Sequence, residues 1–323
     1  MIDFFDRIYT SFEKDSNLFV KFRFNSVIRL TIRLTINLLA PLYFILTKGD
    51  KRFTLEKSMN VEGRIIVSLT SFPTRINRVW LVIETILRQT MKPDLIILWL
   101  SKEQFSSFYE LPPILLRLRE RGVEIRLVEG NIRSHKKYYY AMKEFPYDYI
   151  ITVDDDVLYS SRLLSHLIEL SQKFPLAICC NQAARITLVQ GDITPYLSWP
   201  CVKLANDPTD EIMPIGLGGI LYPPFSLHFD VFNIEIFKKY CFLADDIWLN
   251  IMAHLKGTQV AKTAYFSNYI PVLNINNKTL TSINAYEHFN DIQLRSVREY
   301  YITNFGIDPY QNINAKINEF KIN

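Results

Sequence analysis

Glycine is scarce in this chain, ten residues in 323. Neither G-x-G-x-x-G nor G-x-x-x-x-G-K-[ST] occurs, which removes the usual dinucleotide and P-loop fingerprints. Cysteine is equally sparse: Cys179, Cys180, Cys201 and Cys241 show no C-x-x-C spacing, which argues against a zinc site. The apolar run around Cys179 reads instead as buried free thiols in a reducing compartment. Charge of one sign is also lacking. Lys and Arg number 37 against 33 Asp and Glu, and a net charge of +4 is too weak to argue for nucleic acid. The opening MIDFFDRIYTSFEKDSN carries acids and lacks the basic start of a secretory signal peptide. No internal repeat or low-complexity segment stands out.

What is present is an ordinary globular composition, 49% hydrophobic and 22% charged, of a length that suits one large α/β domain with appendages or two domains. Residues 21 to 52 hold an uncharged core, Leu34 to Thr47, framed by Lys21, Arg23, Arg29, Arg33, Lys48, Lys51 and Arg52. The core is short of the roughly 20 residues of a spanning helix and contains Asn37 and Pro41. An apolar stretch framed by bases reads as an interfacial segment on an anionic membrane surface; a packed surface helix and a true span are the alternatives.

From residue 63 short apolar runs alternate with amphipathic stretches. GRIIVSLT (63–70), DLIILWLS (94–101), VEIRLVE (123–129) and DYIITV (148–153) read as strands; 76–90, 112–122 and 134–145 read as the intervening helices. A helix over 161–173 and a fifth strand, 176–180, follow. This alternation predicts right-handed βαβ units and a Rossmann-like, mostly parallel sheet with flanking helices. The expected divisions are a helical N-terminal extension (1–60), a main domain (61–283, in halves 61–160 and 161–283) and a tail packing on it (284–323). Ligands of such sheets sit at the carboxyl ends of the strands.

Three consecutive acids, Asp154, Asp155 and Asp156, stand at one such end. Unpaired burial would cost each several kcal/mol, so a positive partner is expected: a divalent cation, Lys/Arg, or solvent at a turn. Carboxylates at positions one and three can share a hard cation such as Mg²⁺ or Mn²⁺, which in turn holds a diphosphate. In RSHKKYYYAM, Ser134 reads as an N-cap, yet His135, Lys136 and Lys137 crowd the first turn against the helix dipole. That suits an anion at the helix start, or a solvated basic surface. In ADDIWLN, Asp245 and Asp246 open a helix whose buried face is marked by Ile247, Ile251 and Leu255. Rotation places Asp246 almost opposite that face, as a general base facing a cleft, and Asp245 nearer its edge, as a cap.

RIIVSLTSFPTRINRVWLVIETILRQTMKPDLIILWLS, ITVDDDVLYS and ADDIWLNIMAHLKG together resemble the strand–loop–helix opening, the DxD element and the later acidic motif of nucleotide-sugar glycosyltransferases of the A-type fold. The resemblance spans roughly residues 62 to 257 and is nearest to family 2 and exostosin-like enzymes of bacterial surface-glycan assembly, of which the former invert and the latter retain. It implies Asp154 near the ribose and, with Asp156, at a Mn²⁺ or Mg²⁺ ion; apart from the resemblance, His288 in YEHFNDIQL is a candidate third ligand, since imidazole suits Mn²⁺. Thr70, Arg75, Lys137 and Asp155 would serve the nucleotide. Asp246, with Asp245, would carry catalysis. The donor implied is a nucleotide-diphosphate sugar (a UDP-sugar favoured), the acceptor a glycan or lipid-linked oligosaccharide, and the location the inner face of a bacterial cytoplasmic membrane. The family's base-holding Asp after the second strand is replaced by Trp99, Leu100 and Ser101. Two other readings compete. A haloacid-dehalogenase-like phosphatase shares the hhhDxD pattern, although that motif normally opens its domain. A non-catalytic membrane-docked scaffold would respond to neither metal nor nucleotide.

Overall fold

The computed structural model describes residues 1–12, 24–47, 63–273 and 289–313. Two helices come first, α1 (Ile2–Ser11) and α2 (Phe24–Leu46). The expected strands follow as β1 (Ile65–Thr70), β2 (Leu95–Ser101), β3 (Val123–Val128) and β4 (Tyr149–Thr152). They lie parallel in the order β3-β2-β1-β4. Their runs are apolar almost without interruption because both faces are covered. Val67, Leu69, Ile96 and Leu98 face α3 (Val79–Leu87), every residue of which is buried. Ile66, Ile97 and Ile150 face Ala141 of α4 (Lys136–Glu144) on the other side. The result is an α/β sandwich of three layers.

Beyond β4 the direction changes. β5 (Ile178–Cys180), β6 (Asn206–Thr209), β7 (Ile220–Tyr222) and β8 (Val260–Lys262) complete an eight-stranded sheet in the order β6-β8-β5-β7-β4-β1-β2-β3. β7 is antiparallel to both β4 and β5, and β6 is antiparallel to β8. α5 (Leu163–Lys173) covers the α3 face, and α6 (Asp245–Lys256) joins the second core with Tyr138 and Trp248. A second, small sheet is built on Ala183–Arg185. α7 (Phe289–Phe305) packs on α6.

Several boundaries differ from the expected ones for local reasons. The 112–122 helix is one α-turn, Pro113–Leu116, tightening into a 3-10 turn, Arg117–Arg121, which ends at Gly122 in the left-handed region (φ 88). Ser134 does not cap α4. Arg133 sits at φ 52, a 3-10 turn spans Arg133–His135, and α4 starts only at Lys136. α2 is longer than its uncharged core, because Arg29 finds the Phe12 carbonyl and the Tyr9 ring and so stays within the helix. It also runs through Pro41.

The polar residues of the motif-rich segments hold the scaffold in place. Asp94 accepts the Ile65 N–H at 2.7 Å and so caps the start of β1. The buried Gln89 donates to the Ser160 carbonyl and accepts from Leu164 N–H, tying α3 to the chain that follows the three aspartates. α1 is tied down likewise. Asp3 accepts from Ser161, and Asp6 from Tyr265 and Ser267.

Candidate active site

β1 pairs with β2 on one side and β4 on the other, so the chain reverses its direction of winding between β1 and β4. A crevice opens at such a switch point. Here it is a cavity of about 550 Å³ lined by residues after β1 (Thr70, Ser71, Phe72, Arg75), after β3 (Asn131, Arg133, Ser134, Lys136, Lys137) and after β4 (Asp154, Asp155, Asp156). Asp245 and Asp246 at the start of α6 close it from the second half, with Ile215, Leu217, Tyr196 and Asn290.

The three aspartates have different surroundings. Asp155 is buried, and both its oxygens are taken: Ser71 Oγ donates at 2.6 Å and Arg75 Nη1 at 2.5 Å. Arg75 Nη2 reaches Asp156 at 2.8 Å, and the Asp156 side chain stays 31% exposed to the cleft. Burial, then the Asp155 charge, push Asp156 up to about 7. Asp154, 30% exposed, meets Lys137 Nζ at 2.8 Å.

Lys137 is buried and also reaches Asp245 Oδ2 at 2.9 Å. Burial opposes its charge, yet Asp154, Asp245 and Asp246 keep its ammonium well above the usual range. Burial in turn raises Asp245, but its neighbours, Lys137 foremost, together hold that carboxyl below its ordinary value. Asp245 is therefore an ion-pair partner and no cap: α6 has no side-chain capping bond, and Ala244 occupies the cap position. Asp246 accepts the Gly216 N–H at 2.8 Å through Oδ2. Burial, then Asp245, push it up to about 7. Four carboxylates thus share two ion-paired cations, Arg75 and Lys137, and Asp246 stands beside them as a fifth without an ion pair of its own among the described residues.

The basic turn is less cationic than its sequence suggests. His135 is fully buried, stacks on Phe237 at 4.3 Å, and sits between the Cys241 carbonyl and the Tyr138 hydroxyl, each 2.9 Å away. Burial lowers it to about 4, so it is neutral. Lys136 is also buried, donates to Asn131 Oδ1 at 2.9 Å, and is lowered by burial to about 8.

Thr70 Oγ1 donates to the Trp99 carbonyl at 2.8 Å. Trp99 stacks on Tyr140 and donates to Ser68 Oγ, and Ser101 Oγ accepts from Glu103 N–H. The segment standing where the family's base-holding Asp would be is thus occupied with the scaffold. Three oxygens around the cavity are different: Gln104 Oε1, Asp246 Oδ1 and Asn290 Oδ1 are buried with no hydrogen-bond partner among the described residues. Sequence reasoning missed Ser71, Gln104, Asn131, Tyr196 and Asn290. No signal marks them, since each is a common polar residue in a connecting segment or at a helix end. His288 lies outside the described residues. Among the described residues no three His, Cys, Asp or Glu side chains converge as a complete metal-ligand set.

No protein-family model matches this chain, and no curated protein matches its sequence. Similarity appears among solved structures. A 4-diphosphocytidyl-2C-methyl-D-erythritol synthase is 12% identical, with a TM-score of 0.41, over 70% of this chain and 99% of that one. Its counterpart from Anaerococcus prevotii is 16% identical (TM-score 0.41), over 71% and 99%. Residues 1–349 of S. aureus TarS, in complex with UDP-GlcNAc, are 10% identical (TM-score 0.44), over 75% and 74%.

Proposed function

We propose that this chain is a metal-dependent glycosyltransferase that moves a sugar from a nucleotide-diphosphate sugar, a UDP-sugar by preference, to a hydroxyl of a glycan or lipid-linked oligosaccharide in bacterial surface-polysaccharide synthesis. One observation carries the reading. Carboxylates in excess of their cations meet, at the switch point, buried acceptor oxygens that lack donors. A ligand that brings both positive charge and many O–H or N–H groups satisfies that imbalance; a sugar nucleotide with its metal ion is one.

Asp154 and Asp156 are the residues fitted to hold Mn²⁺ or Mg²⁺. Both are partly exposed to the cleft, whereas Asp155 is committed to Ser71 and Arg75. Such an ion is characteristically bound by one or two carboxylates and completed by phosphate and water oxygens, which suits a site where the described residues supply no third ligand. When bound, it stabilises charge developing on the leaving diphosphate. Lys136 and Arg133 border the same side and offer further positive charge to the phosphates.

Asp246 is the base in this reading. Its Oδ2 is fixed by Gly216, and its unpartnered Oδ1 is available to the acceptor hydroxyl. The hydroxyl proton passes to Asp246 as the acceptor oxygen bonds to the anomeric carbon, and the bond to the diphosphate oxygen breaks with its electron pair on the phosphate. A base in this place favours inversion of configuration. Asp245 and Lys137 hold position beneath, and Gln104 Oε1 offers an acceptor to an N–H of the base.

The test is a thermal-shift panel of UDP-, GDP- and CDP-sugars with and without Mn²⁺, followed by donor hydrolysis. A shift that requires both nucleotide sugar and Mn²⁺ is expected. No response to any of them, together with p-nitrophenyl phosphate turnover in Mg²⁺, overturns the reading in favour of a phosphatase.

A further inference from the structure

The face of α2 turned away from the domain is apolar along its length. Val27, Leu30, Leu34, Leu38, Leu42 and Ile45 are each at least half exposed, from 50% for Leu30 to 69% for Leu38. At helical spacing they fall on one stripe about 27 Å long. Soluble monomers rarely leave such a continuous patch uncovered.

The opposite face is firmly seated. Ile32, Ile36, Ala40 and Phe44 belong to the main core. The Asn37 side chain donates to the Pro271 carbonyl at 3.0 Å and accepts from Leu273 N–H at 2.8 Å. The Arg88 guanidinium lies over the Tyr43 and Phe44 rings. By length and hydropathy, Asn25–Leu46 qualifies as a membrane span. The seat argues against crossing. A span would drag the 271–273 backbone, which leaves a short strand there and is stitched to the helix midpoint, toward hydrocarbon that cannot satisfy its free polar groups.

Charge identifies the occupant of the exposed face. From Ser16 to Gly49 the sequence holds not one Asp or Glu; Arg29 is turned onto the Phe12 carbonyl and the Tyr9 ring, while Lys21, Arg23 and Lys48 stand in the sequence at the two ends of α2. A second copy meeting this face about a two-fold axis would bring those like charges together. Anionic headgroups complement the bases, while the acyl boundary below accepts the leucines. We propose that α2 lies in the plane of an anionic bilayer, buries this stripe at the headgroup–acyl boundary, and docks the domain without crossing. The inference rests on α2 alone and does not depend on the transferase reading.

The test compares the full chain with a Leu34→Gln/Leu38→Gln/Leu42→Gln variant, using vesicles of phosphatidylcholine alone or mixed with phosphatidylglycerol. The three leucines are exposed, so an unchanged melting temperature confirms that the variant is folded. Wild type should sediment with the phosphatidylglycerol vesicles, lose affinity as salt rises, and be stripped by alkaline carbonate. The variant should bind at least about tenfold more weakly, since each buried methylene contributes to interfacial affinity. Three results overturn the proposal: wild type that ignores both vesicle types, a wild-type dimer in solution that the variant dissociates, or retention in the membrane through carbonate.

Discussion

Asp246 and Lys137 have opposite characters, and each makes a different prediction. Asp246 has a spare oxygen in the cleft and a carboxyl raised to about 7, so it is suited to accept a proton and must be ionised to do so. Turnover should therefore climb as pH rises through about 7. Asp246→Asn should lower it by about 10²–10⁴-fold and abolish that rise, with nucleotide-sugar affinity kept. Steady-state rates across pH, with donor binding by calorimetry, check both parts. Among the described residues, Lys137 is the one ion-pair partner common to Asp154 and Asp245. Lys137→Met strands two carboxylates, of which Asp245 is buried, and should cost about 3–5 kcal/mol in urea unfolding. That both residues are candidates for a site is legible in the sequence, because each stands among charged residues that open a helix. The partners that define each role are not. Ser71 and Arg75 reach Asp155 from about eighty positions away, and His135 is neutral because burial, with Phe237 stacked on it, outweighs the Cys241 carbonyl that favours its charge.

Between elements, the turn Gly216–Gly218 decides where Asp246 points. A Cβ on Gly216 would come within 2.7 Å of Asp246 Oδ1 and 3.2 Å of Lys137 Nζ, both at the ends of side chains that can swing aside. A Cβ on Gly218 would meet Gln182 Cβ at 2.7 Å and its backbone nitrogen at 2.8 Å, which cannot. Gly216→Ala should therefore keep its melting temperature and lose at least about tenfold in turnover as Asp246 is displaced. Gly218→Ala should lose about 1–3 kcal/mol of stability as an overpacked site. Comparing melting curves with rates for the two variants separates the effects. The strands β1 to β4 were readable because burial on both faces leaves long apolar runs. β7 was not, since three residues followed by prolines carry no periodicity, and its reversed direction is set by pairing with β4 and β5. The reach of α2 past Arg29 was hidden for a related reason: the charge is accommodated by Phe12 and Tyr9, outside the window that periodicity inspects.

For the molecule as a whole, buried titrating groups set opposing pH slopes. His135 and His254 are lowered by burial from 6.5 to about 4, so the unfolded chain binds more protons between those values and stability rises with pH. Asp246 and Asp156 are raised by burial from 3.8 to about 7, so the native state binds more protons and stability falls as pH rises through that interval. The two pairs offset each other across their shared window. Asp246→Asn removes one native-state proton. Its stability should rise with pH more steeply than wild type's, by up to about 1.4 kcal/mol per pH unit between 4 and 6.5, and it should exceed wild type at neutrality. Denaturant melts at several pH values measure that divergence; parallel curves would refute it.

The clasp that secures α1 also sets an order of assembly. Asp6 waits for Ser267, 261 positions later, and Asn37 for Pro271, 234 positions later. Contacts of that separation close last, after the loop entropy between them has been overcome. On the ribosome, the beginning of the chain emerges long before its seat exists, so both apolar faces of α2 are open while the sheet is being made. A nascent chain in that state is a ready client for chaperones or for a nearby bilayer. Any message truncated before codon 265 should yield a product recognised by proteases however well its central strands have paired.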